Sequence, residues 1–195
     1  MDDAYTSINK DDADALFPKK IDSASRKYSL NDFHGAIADL EITISIMPRY
    51  KNQYNLLGLC KAGLEDWEGA ISGYDKALEI DSLYIPAIMN RGDSKAQLGL
   101  SEEAFLDYYM VTEIDSSLCM AWDYCGLTKI ALKEFEESIK YFSKAINLEP
   151  ENPEYYLSRG VSRLHCGEMD GAKHDFVKSK KLGSLDASQV LNEYF

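Results

Sequence analysis

The sequence predicts an all-α fold of stacked helix pairs, and three observations carry that expectation. The first is a fixed period: Ala36, Ala70, Ala104, Ser138 and Ala172 follow one another at steps of 34 residues, with no insertion or deletion. The second is local spacing. In DWEGAISGYDKALEID (66–81), Trp67, Ala70, Ile71, Tyr74, Ala77 and Leu78 recur at three- and four-residue intervals, which places them on one face of a helix. EFEESIKYFSKAINLEP (134–150) is a near copy. The third is punctuation. Breaks recur after each pair of helical patterns, at Pro48, Ser82, Ser116, Pro150 and Ser184.

Each unit reads as two helices. In 51–84 they are NQYNLLGLCKAGL and DWEGAISGYDKALEI. A short break separates the two, with Asp32, Asp66, Ser101 and Glu134 expected at the helix starts. Small residues form one column: Ala24, Gly58, Gly92, Gly126 and Gly160. Helices that cross closely require such residues. Large residues form another: Leu40, Tyr74, Tyr108, Phe142 and Phe176, expected to fill the space between neighbouring pairs. A lone helix pair cannot bury both its faces, and stacking supplies the missing surface.

A 34-residue helix-turn-helix unit with these columns resembles the tetratricopeptide repeat. Trp122, Gly126, Leu132, Phe135, Phe142, Ala145 and Pro150 match its pattern most fully. The resemblance covers five units, 17–50, 51–84, 85–118, 119–152 and 153–186. It implies an α-solenoid, a right-handed superhelix with a groove lined mainly by the first helix of each unit. The ends depart from the pattern. Lys20 stands where an aromatic is usual, so a partly solvated outer face is expected there. Val190, Leu191, Tyr194 and Phe195 form an apolar stripe in the tail 187–195, which reads as a capping helix. The N-terminal segment 1–16 is acidic and poor in apolar residues, and is expected to be mobile or loosely helical.

Composition narrows the function classes. The net charge is −12, which repels phosphate backbones and argues against nucleic acid as partner. No apolar run is long enough to span a membrane, and the N-terminus carries no leader pattern, so a cytoplasmic location is expected. Cys60, Cys119, Cys125 and Cys166 form no CxxC pair and read as free thiols. His165, Cys166 and His174 match no standard zinc spacing. The chain contains no phosphate-binding loop, dinucleotide fingerprint, GxSxG or HExxH. The expectation is a non-enzymatic chain with no metal or cofactor.

One column is unusual. Lys27, Lys61, Lys95, Lys129 and Arg163 are all basic where the common repeat has a tyrosine. Either they bind an anionic ligand or they pair with Asp39, Asp107 and Asp175 of the second helices. Arg91 and Arg159, four residues before Lys95 and Arg163, favour internal pairing. Two clusters are expected: Arg91–Asp107–Lys95 and Arg159–Asp175–Arg163. In the same column as the acids stand Gly73 and Tyr141, so the units holding Lys61 and Lys129 lack that partner.

The resemblance also implies a groove floor of Ile21, Ser25, Asn55, Leu59, Met89, Asp93, Asp123, Leu127, Leu157 and Val161, with Asn90 and Tyr124 beside them. Its mixture of apolar, amide and acidic groups suits a protein or peptide segment, and the acids favour a basic residue on it. Some members of the family clamp the acidic tails of heat-shock chaperones with Lys, Asn and Arg. In three possible registers only Asn90 matches that set and no cation appears, which argues against such a clamp. The leading expectation is a protein-interaction scaffold; the alternative is an assembly protein that self-associates through its ends or convex face.

Overall fold

The computed structural model describes residues 10–195, with side chains from residue 15 onward. Among the described residues the only regular elements are eleven helices: α1 (Lys10–Ser29), α2 (Phe33–Ile46), α3 (Lys51–Gly63), α4 (Trp67–Ile80), α5 (Ile85–Gln97), α6 (Ser101–Ile114), α7 (Cys119–Ala131), α8 (Phe135–Leu148), α9 (Pro153–His165), α10 (Met169–Lys181) and α11 (Leu185–Tyr194). Of the expected loose segment, residues 1–9 lie outside the described residues, and 10–16 belong to α1. The helices divide into two compact units, Met1–Leu98 and Gly99–Phe195. Each is built of helical hairpins stacked in chain order, the arrangement of an α-solenoid.

The turn inside each hairpin has one chemistry. Asn31, Glu65, Gly99, Lys133 and Gly167 stand at 34-residue steps, and all have φ between 61° and 78°. After the first of these, the N–H of Asp32 donates to the carbonyl of Lys27 at 2.9 Å; Asp66 to Lys61, Glu134 to Lys129 and Glu168 to Arg163 repeat the bond at 2.8–3.0 Å. A left-handed residue followed by this six-residue closure satisfies the last helical carbonyls and turns the chain back. Asp32 and Asp66 then cap α2 and α4, accepting from the N–H of Gly35 and Gly69 at 3.0 Å. The other two expected helix starts differ. Ser101 lies inside α6, whose N-cap is Leu100, and Glu134 makes no capping bond. Glu134 instead turns to Lys129 at 2.5 Å.

The small column lies beneath the large one within each hairpin. A Cβ added at Gly58, Gly126 or Gly160 would come within 2.4–2.7 Å of the ring of Tyr74, Phe142 or Phe176. The aromatic ring therefore seats on the glycine of its own hairpin. Tyr74 also joins Ala70, Ala77 and Ala87 in one buried cluster, so it bridges α4 to α5 as well. Each buried ring contributes roughly 2 kcal/mol through its apolar surface. In the second unit α11 packs on α10, and its Phe195 ring lies 6.3 Å from Phe176. Val190 and Leu191 are half-buried, but Tyr194 stays 51% exposed, so only part of the expected stripe is covered.

Candidate peptide-binding faces

The basic column is best read from its acids. Asp175, at the middle of α10, is fully buried. Arg159 holds it with Nε and Nη2 at 2.9 and 2.8 Å, and Arg163 with Nη1 at 2.7 Å. Two guanidinium groups one turn apart on α9 thus close on one carboxylate across the hairpin. Arg159 also reaches Ser143 of α8 at 3.0 Å, joining two hairpins of the second unit.

Asp39 in α2 has a matching set. Lys27 and Lys20 donate to its two oxygens at 2.6 Å each, and Ser23 donates at 2.6 Å. Burial alone would raise the Asp39 carboxyl, but these three donors outweigh it and hold the group well below the usual carboxylate range. Lys20 thus joins a charge cluster while its side chain remains 31% exposed. Neither Lys20 nor Ser23 is apparent from the sequence, because one acid receives three donors from two turns of α1.

The remaining members of the column differ. Lys129 pairs with Glu134 and lies over the Phe105 ring at 4.1 Å, where Tyr141 and Trp122 stack 6.3 Å apart. Lys61 is half-buried and meets no acceptor among the described residues. Arg91 donates to Asp75 of α4 at 2.7 Å, a partner the spacing did not suggest. Asp107 is buried in the second unit.

The predicted groove residues fall into two sets. In the first unit, Asn90 of α5 donates through Nδ2 to Oδ1 of Asn55 of α3 at 3.0 Å. Asn55 is only 9% exposed and Asn90 is half-buried, so this amide pair is largely covered. Leu59 and Met89 are half-buried, with Leu59 packed on the cluster around Tyr74, while Asp93 is exposed. In the second unit, Asp123, Tyr124, Leu157 and Val161 are half-buried and Leu127 is 42% exposed. Tyr124 packs on Tyr108 with ring centroids 4.9 Å apart. Burial first, and the charge of Glu154 second, push the Asp123 carboxyl up to about 6. Glu154 and the 55%-exposed Met120 belong to the same surface but stand out in no repeat column.

Cys60, Cys119 and Cys125 are buried free thiols, and Cys166 is half-buried. His165 stacks on Phe135 with centroids 4.2 Å apart, which places its ring in packing. Among the described residues no helix is long and apolar enough to cross a membrane.

Comparison with known proteins agrees with this architecture. The family model described as Tetratricopeptide repeat matches residues 126–152. A Lipoprotein NlpI homolog of Haemophilus influenzae is 27% identical over 112 residues, covering 56% of this chain and 35% of that protein. Tetratricopeptide repeat protein 6 of Homo sapiens is 25% identical over 129 residues, covering 65% of this chain and 25% of the relative. The chain thus spans about a third or less of these curated relatives. Among solved structures, YrrB, described as a TPR protein with an unusual peptide-binding site, is similar with a TM-score of 0.78 at 15% identity, over 89% of this chain and 90% of that one. Such a likeness speaks to fold alone. With the 34-residue period and the matched repeat, the chain belongs to the tetratricopeptide-repeat family.

Proposed function

We propose that the chain is a non-enzymatic adaptor that holds a protein or peptide segment on the inner faces of its first-in-pair helices. In the first unit the binding face is Asn55, Leu59, Met89, Asn90 and Asp93; in the second it is Asp123, Tyr124, Leu127, Leu157 and Val161. The observation that carries this reading is an exposed apolar side chain on a first-in-pair helix, Leu127 of α7, beside half-buried Asp123 and Tyr124. Leu127 remains 42% exposed although the hairpins around it are packed. In the first unit Asn90, half-buried on α5, adds an amide of the kind that suits the backbone of an extended segment. The description of YrrB as having a peptide-binding site supports the same class of partner. The division into five repeat units and a cytoplasmic location belong to this reading too. The Haemophilus relative's description as a lipoprotein makes cell fractionation the check on location.

Quantitative affinity capture with wild type, Leu127→Glu and Asn55→Ala tests the reading. Leu127 is 42% exposed, so Leu127→Glu should fold, and thermal melting checks that Asn55→Ala, at a buried position, folds as well. The expected result is loss of the bound partner by at least one variant. Retention of the same partners at the same level by both would sink the proposal. Self-association is the second reading, favoured by Leu185 and Tyr194 of α11, which are 84% and 51% exposed. Light scattering over a range of concentrations separates the two, since a stable dimer without ligand supports assembly.

A further inference from the structure

Among the described residues, the buried and half-buried acids other than Asp123 all have partners. Asp39 and Asp175 sit in cation clusters, and Asp32 and Asp66 cap helices. Asp81 and Asp115 each accept from the backbone two residues on. Asp123 of α7 is different, and the exposed Glu154 of α9 lies close enough for its charge to act on it. Neither carboxylate has a hydrogen-bond donor among the described residues, and Asp123 is half-buried. Tyr155, a titratable group that feels the charge of Asp123, spends its hydroxyl on Glu149 at 3.3 Å. A half-buried carboxylate without a donor, next to a second negative charge, destabilises the free chain. Such a group gains most when a cation arrives from outside.

The surface around it is apolar. Met120, Asp123 and Leu127 share one face of α7 at three- and four-residue spacing, and Leu157 lies one turn beyond Glu154 on α9. Met120 and Leu127 are 55% and 42% exposed. We propose that this face docks a partner segment bearing one lysine or arginine flanked by apolar residues. The cation meets Asp123 and Glu154, and the apolar neighbours cover Met120, Leu127 and Leu157. Charge complementarity selects this occupant: an acidic segment is repelled by both carboxylates, and a purely apolar one leaves Asp123 further desolvated and unpaired. A divalent metal ion would need more oxygen ligands than two carboxylates supply. The inference rests on the groove reading above and adds the chemistry of what fills it.

A random dodecapeptide display library, panned on the full chain at neutral pH, tests both statements separately. Binders that fail on Leu127→Glu are sequenced, and one is synthesised with its basic residue intact or replaced by glutamine. The expected pool carries a Lys or Arg between apolar residues. Peptide Arg→Gln and protein Asp123→Asn should each weaken binding by about tenfold, and the two together by little more than either alone. The charge proposal is overturned if binders need Leu127 yet carry no basic residue. It is equally overturned if Asp123→Asn binds as tightly as wild type. If no binder depends on Leu127, the groove reading falls and this inference with it.

Discussion

The α9/α10 and α3/α4 hairpins carry the same basic column and resolve it in opposite ways. In α9/α10, Asp175 is buried between Arg159 and Arg163, and a charge cluster ties the two helices. In α3/α4 the residue at the acid's place is Gly73. A Cβ there would stand 2.9 Å from both Cα and N of Gly58, and 3.1 Å from the carbonyl oxygen of Tyr54. Those are backbone atoms and cannot swing aside. The second hairpin therefore closes by direct backbone approach, and Lys61 is left without its acid. A seam of this kind accommodates a buried side-chain bridge or backbone contact at that point, but not both. The α7/α8 hairpin takes a third course, with Tyr141 at the acid's place and Lys129 drawn to Glu134 and the Phe105 ring.

The largest effect should come from imposing one solution on the other hairpin. Gly73→Asp copies the residue at Asp175, yet it should cost about 4 kcal/mol, because overpacking against backbone outweighs a new pair with Lys61. Urea unfolding reads this directly, and a variant as stable as wild type would show that α3 and α4 can separate freely. Next is Asp175→Asn, which leaves two guanidinium groups facing each other beside an amide. A loss of about 3 kcal/mol is expected, reduced by whatever solvation Arg163 recovers. An unchanged unfolding midpoint would mean that the cluster contributes nothing net.

Asp123 sharpens the comparison from the other side, as an acid in the same unit with no donor. Its carboxyl is raised from 3.8 to about 6, so the folded state favours the protonated form. The resulting stability is fully present below the unfolded value and is lost as pH rises through about 6. Asp123→Asn should therefore stabilise the chain at pH 7 by on the order of 2 kcal/mol, with the gain fading to nothing near pH 4. A pH-independent difference between the two proteins would refute this account. The smallest effect concerns the turns. Gly167 serves α9/α10 in the left-handed region, whereas Glu65 serves α3/α4 at φ 61°. Glu65→Gly should gain about 0.5 kcal/mol by relieving a Cβ that this conformation crowds. Thermal melting of the pair would reveal it, and a lower melting temperature would contradict it.

Much of the architecture was legible before any coordinates. The 34-residue period placed every helix from α2 to α10, because both the core face and the breaks repeat locally along the chain. The pairing of Gly58 with Tyr74, or Gly160 with Phe176, also follows from columns. The left-handed turn residues are written in the same period, but Asn, Glu, Gly, Lys and Gly share no side-chain chemistry, so no composition signal marks them.

What the tertiary structure alone decided is the choice of partners. Lys20, Ser23 and Lys27 converge on Asp39, Arg91 turns to Asp75, and Lys129 lies over Phe105, because these depend on how far each side chain reaches across a helix seam. Asp123 and Asp175 are both acids on helices in a charged chain. Only their surroundings make one a satisfied brace and the other an open carboxylate. Spacing along the chain determines which face a residue occupies; separation between helices, measured in tenths of an ångström at Gly73, determines what it can meet there.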